Sequence, residues 1–208
     1  MNASVDAPGD ATLLRRGLRL EYLTIGWNLI EAFVAVGAGI VAGSIALVGF
    51  GFDSLIEVFA ATVVVWELHG VGERRERLAL RLIAISFFVL AAYVLIESVR
   101  DLAIRAEPSE SIPGLVLACL SLVVMPLLAR AKRRTGWAMG SVTLVADAAE
   151  TMLCALLSLI LLAGLLLNAM AGWWWADPIA AIGIAVLALR EGVEAWRGEE
   201  PASEADRP

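Results

Sequence analysis

Histidine is nearly absent from this chain of 208 residues: His69 stands alone, and cysteine occurs only at positions 119 and 154. A single imidazole cannot build a histidine cluster. Both thiols fall inside apolar stretches where no oxidising loop can pair them, so no disulfide framework is implied. No polar stretch is long enough for a soluble domain. What is present is apolar: 60% of the residues are hydrophobic and the mean hydropathy is +0.79. The apolar residues come in runs of about twenty rather than in amphipathic periods, which is the length that carries a helix across a bilayer.

The expected fold is an all-α membrane protein with six transmembrane helices, over residues 20–41, 44–66, 82–102, 112–129, 142–169 and 176–196. Residues 1–17 read as a polar cytoplasmic segment, 18–197 as the six-helix transmembrane domain, and 198–208 as an acidic disordered tail. The first apolar run is too long for a signal-peptide core and leads directly into a second span, so it reads as a retained helix.

Net charge is −6, but the placement of lysine and arginine carries more information than the total. Fourteen of the 16 fall at the amino-terminal end, the 2–3 and 4–5 connections or the carboxyl-terminal end. Only Arg100 and Arg105 fall on the other side. That bias puts both termini in the cytoplasm. Trp173, Trp174 and Trp175 then mark the external interface, and Trp66, Trp137 and Trp196 the internal one.

Against this background the acids inside the spans stand out. Asp53 and Glu57 lie four residues apart in the second span, hence on one helical face. A carboxylate at the bilayer centre costs about 2.5–3.5 kcal/mol even on the lenient insertion scale, so an aligned pair calls for a partner or a pathway. In the fifth span Asp147, Glu150 and Cys154 share a face at spacings of three and four. Glu31 lies midway along the first span with Asn28 one turn before it; Glu31 either hydrogen-bonds a neighbouring helix or contacts a transported ion. Gly49 and Gly51 either admit a close helix contact or loosen the helix beside the acids. Glu191 and Glu194 either line a cytoplasmic exit or face water, and His69 either is solvated or captures metal. Asp177 suits the N-cap of the last helix and Pro178 its first turn.

Counted from the interface markers, Glu31, the Asp53 and Glu57 pair and the Glu150 and Cys154 pair fall at nearly one depth. With the second and fifth spans antiparallel, Asp53 would lie level with Cys154 and Glu57 level with Glu150. Three carboxylates and a thiolate suit a divalent transition metal in tetrahedral coordination, zinc before others, whereas calcium and magnesium demand more oxygens. A metal entering buried acids must displace protons, and its release must restore them. Glu31, Asp147 and Asn28 are candidates for an accessory or proton-coupling role.

At these residues the chain resembles the cation diffusion facilitator family of membrane metal transporters. The likeness runs through Gly43-Ser44-Ile45-Ala46-Leu47 and Asp53-Ser54-Leu55-Ile56-Glu57, then Ala146-Asp147-Ala148-Ala149-Glu150 with Cys154, and Ala176-Asp177-Pro178. The family typically holds its metal with two aspartates on the second helix and a histidine and an aspartate on the fifth. Position by position, the resemblance implies Asp53, Glu57, Glu150 and Cys154 as ligands, with Glu57 at an aspartate position, Glu150 at the histidine position and Cys154 at the second aspartate position.

The resemblance is nearest to a short six-helix branch without the family's usual cytoplasmic domain after the last helix, and that domain's mode of dimerisation is not carried over. It implies a divalent-metal efflux transporter, proton-coupled and working by alternating access. The metal is the transported substrate and no resident cofactor is expected. Further expectations are a homodimer in membrane lipid, a location in the bacterial inner membrane, and no nucleic-acid partner. The alternatives are a non-transporting metal-sensing subunit and, from the faint Gly49 to Asp53 echo of a protease element with Asp147, an intramembrane aspartyl hydrolase.

Overall fold

The structure, a computed structural model, describes residues 8–69 and 73–197; the acidic tail expected over 198–208 lies outside them, as do residues 1–7. The described residues form six helices: α1 Pro8–Ala42, α2 Ile45–Leu68, α3 Glu73–Ile104, α4 Ile112–Met139, α5 Val142–Ala171 and α6 Ala176–Arg197. The helices overrun the apolar windows, most clearly in α1, α3 and α4. Their charged ends are good helix formers and simply continue the backbone hydrogen-bond ladder out of the apolar layer.

The chain is an integral membrane bundle. α1, α2, α4 and α5 each contain a stretch long and apolar enough to cross a membrane. The 22 residues of α6 extend about 33 Å at about 1.5 Å each, which also exceeds a hydrocarbon core of about 30 Å. Large apolar side chains face outward, among them Phe33, Val41 and Met170, each more than three-quarters exposed. Polar side chains face inward instead: on α1 alone Glu21, Thr24, Asn28 and Glu31 are fully buried, at the three- and four-residue spacing of one helical face. A bundle that is dry outside and polar inside suits lipid rather than water.

Two helical hairpins, α1–α2 and α4–α5, are built to one plan. Each turns at a glycine in the left-handed region, Gly43 at φ 67° and Gly140 at φ 66°, where a side chain would be strained. The next residue, Ser44 or Ser141, is the N-cap of the following helix and accepts a hydrogen bond from the backbone of Leu47 or Leu144. Close approach follows in the same register. A Cβ on Gly39 would sit 2.7 Å from the Val48 side chain, and one on Gly136 would sit 2.7 Å from that of Val145.

The hairpins run opposite ways. Glu31 of α1 meets Ser121 of α4 while Glu21 meets Lys132, so α1 and α4 are antiparallel. A Cβ on Gly114 would meet both Leu47 and Leu165, whereas one on Gly17 would meet both Leu68 and Leu144, so α2 and α5 are antiparallel too. The result is an inverted repeat, with α3 and α6 packed on each other beside the paired hairpins. Among the described residues, Gly51 lies inside an unbroken α2, and a Cβ there would come 2.9 Å from the backbone nitrogen of Val36. Its role is therefore close packing of α1 on α2.

Asp177 corrects the expectation that it caps its own helix. It sits within the first turn of α6, and its carboxylate accepts hydrogen bonds from Ser44 Oγ at 2.5 Å and from the backbone of Ala46 at 3.3 Å. It thus caps α2, where the unpaired amides of the first turn favour an anion.

Candidate metal centre

The antiparallel contact of α2 with α5 brings three of the candidate ligands together. One ligand atom each from Asp53, Glu57 and Cys154 lies within 4.8 Å of the others, and all three residues are buried. Glu150 is outside this trio but lines the same small cavity, along with Asp53, Glu57, Cys154 and Glu191. The cavity volume is about 20 Å³. A single water needs about 10–15 Å³ measured in the same way, so there is room for one small ion or water and not for an organic solute.

Neither carboxyl oxygen of Glu57 has a hydrogen-bond partner among the described residues, although both are buried. An unpaired buried polar group costs roughly 1–3 kcal/mol, and more when charged. Among the described residues no hydrogen bond repays that cost for Glu57. A cation within reach of Asp53, Glu57 and Cys154 would repay it, and the donor set of hard carboxylates with one soft sulfur fits a divalent transition metal.

The candidate ligand pairs occupy matching places in the repeat. Asp53 is to Gly43 as Glu150 is to Gly140, and Glu57 and Cys154 correspond in the same way, each pair keeping the sequence separation of the two turn glycines. Both hairpins therefore present two candidate ligands one turn apart, from opposite directions, toward one point.

The accessory candidates are placed elsewhere. Glu31 accepts hydrogen bonds from Ser54 Oγ of α2 at 3.4 Å and from Ser121 Oγ of α4; it ties three helices together and does not line the cavity. Asn28 is fully buried, and neither of its amide atoms has a partner among the described residues. Asp147 is paired with Lys132. His69 is exposed at the C-cap of α2, its Nδ1 2.7 Å from the Val65 carbonyl oxygen.

Lys132 is the residue that sequence reasoning missed. Counted there among the cytoplasmic charges, it is fully buried, and its ammonium bonds Glu21 of α1 at 3.1 Å, Asp147 of α5, and Thr151 at 3.3 Å. The signal was available: Lys132 precedes the interfacial Trp137 by more than one turn, on the membrane side of it. Glu191 was left undecided by the sequence, and the structure puts it on the cavity.

Comparison with known proteins bears on the same elements. The family model for the cation efflux transmembrane domain matches residues 70–197, which takes in α3 to α6 and so includes Glu150 and Cys154 but not Asp53 and Glu57. The chain is also similar to an uncharacterised transporter of Synechocystis sp., with 25% identity over 186 residues, 84% of this chain. It spans 60% of that curated relative's length.

Proposed function

This chain belongs to the cation efflux family, and on that premise we propose that it carries a divalent transition-metal cation, zinc first, out of the cytoplasm in exchange for protons. The observation that carries the proposal is the buried trio of Asp53, Glu57 and Cys154 with ligand atoms within 4.8 Å of one another. Glu150, which lines the same cavity, is the proposed fourth ligand of a tetrahedral set. Taking each carboxylate out of water costs several kcal/mol unless its charge is balanced. Protons balance it when the metal is away, so loading expels them and unloading takes them up. The inverted hairpins supply a means of movement: rocking one repeat against the other exposes a site at their interface first to one side and then to the other. The proposed location is the bacterial inner membrane, with both termini in the cytoplasm.

The test is metal uptake and internal pH in proteoliposomes of the wild type and Asp53→Ala, with zinc, cadmium, cobalt, nickel, iron and manganese offered in turn. Flux with opposed proton movement, abolished in the variant, is the expected result. Folded wild-type protein that moves none of these metals would refute transport.

A further inference from the structure

Three ligand atoms gathered from α2 and α5 leave open how a cation reaches them, and part of the cavity wall belongs to neither hairpin. α3 contributes the apolar Phe87 there, and α6 contributes Leu187, Ala188 and the one charged side chain of that part, Glu191. Glu191 is the member nearest the end of α6 that carries Trp196 and Arg197, the end the charge distribution assigns to the cytoplasm. Its Oε1 is buried without a hydrogen-bond partner among the described residues. The cation next to it in sequence is otherwise engaged: Arg190 Nε bonds Glu194 Oε1 at 2.8 Å across one helical turn, and the Arg190 side chain is 63% exposed. Glu57, more than nine-tenths buried and with both oxygens unpartnered, lines the same cavity. Two carboxylates from different helices thus lie on a space the size of one ion, and among the described residues no hydrogen-bond donor reaches Glu191 Oε1 or either oxygen of Glu57.

We propose that Glu191 is a further metal-binding residue, the carboxylate that meets the cation at the inner mouth of the cavity and passes it to Asp53, Glu57 and Cys154. The inference rests on the transport reading only for the direction of passage; the binding itself does not require transport. In chemical terms Glu191 offers a hard, anionic oxygen to a partly dehydrated divalent cation before the sulfur of Cys154 is reached. A site of this kind raises the local concentration of cations and shortens the distance over which the ion is bare.

The experiment is equilibrium zinc binding to purified full-length protein, alongside zinc transport in proteoliposomes, for wild type, Glu191→Gln, Glu191→Asp and Glu194→Gln. The expected result is that Glu191→Gln weakens zinc binding about tenfold, at the low end of what loss of a carboxylate near a metal costs. It raises the transport KM to match and leaves the maximal rate near that of the wild type. Glu191→Asp recovers part of the affinity, and Glu194→Gln binds as the wild type does. Unchanged affinity and KM in Glu191→Gln, with Glu191→Asp likewise unchanged, would overturn the inference. So would a Glu191→Gln rate as low as that of Asp53→Ala, which would make Glu191 a ligand of the central site instead. A wild type that binds zinc, with the Glu191 dependence described, but transports none would overturn the transport reading and leave Glu191 as a binding residue.

Discussion

Lys132 shows how a single residue can be read wrongly from composition and rightly from its surroundings. Its ammonium lies in the bundle interior between Glu21 and Asp147, so it holds α1, α4 and α5 together and adds nothing to the charge of a loop. Truncating one member of such a group leaves the others buried and unpaired, which costs about 3–5 kcal/mol. Lys132→Met is expected to lose stability by that order, read as a lower Tm of the purified protein in detergent. Replacing Glu21 with Gln and Asp147 with Asn in the same chain should recover most of the loss, because no uncompensated charge then remains. A Tm for Lys132→Met equal to that of the wild type would remove the network from the account of stability. The pairing also gives Asp147 a structural role, which explains why it shares a face with Glu150 and Cys154 without lining their cavity.

At the scale of the helix the two hairpins depend on glycines at close approach, and the contrast among glycines is testable. A Cβ at Gly51 would meet the Val36 side chain at 2.7 Å and its backbone nitrogen at 2.9 Å, whereas one at Gly37 would meet nothing within 4 Å. Gly51→Ala therefore has to push α1 away from α2, at a cost of about 1–3 kcal/mol. Gly37→Ala should be neutral or stabilising by up to about 1 kcal/mol through helix propensity alone. Thermal unfolding of the two variants in detergent compares them directly; equal Tm values would contradict the close packing of α1 and α2.

The helices themselves were legible in the sequence, because runs of about twenty apolar residues have few other fates. The pairing of Asp53 with Glu57 and of Glu150 with Cys154 was legible from helical spacing. What spacing could not convey was which carboxylates find protein partners. Glu31 and Asp147 look like Glu57 in a sequence, and only the fold supplies Ser54, Ser121 and Lys132 to the first two while leaving Glu57 unpartnered.

For the whole molecule, the inverted repeat is the organising fact. It was hidden in the sequence because the two halves share little beyond Gly43-Ser44 and Gly140-Ser141, the Leu-Val pairs that follow, and the candidate ligand positions. Inversion requires the two hairpin turns to lie on opposite faces of the membrane, and the connection from α3 to α4 lies beside the first of them: Ser109 donates to the Ala42 carbonyl oxygen at 2.8 Å. A membrane-impermeant thiol reagent should therefore label Glu107→Cys from outside intact cells, and Ala138→Cys only after the membrane is opened. Labelling of both from one side would contradict the inverted arrangement.

The most direct measurement is X-ray absorption at the zinc edge of the zinc-loaded wild type, with Cys154→Ser beside it. One sulfur at about 2.3 Å and oxygens at about 2.0–2.2 Å is the predicted shell, and the sulfur should vanish in Cys154→Ser. A shell without sulfur in the wild type, or one unchanged by the substitution, would mean that zinc does not bind where α2 and α5 bring Asp53, Glu57 and Cys154 together.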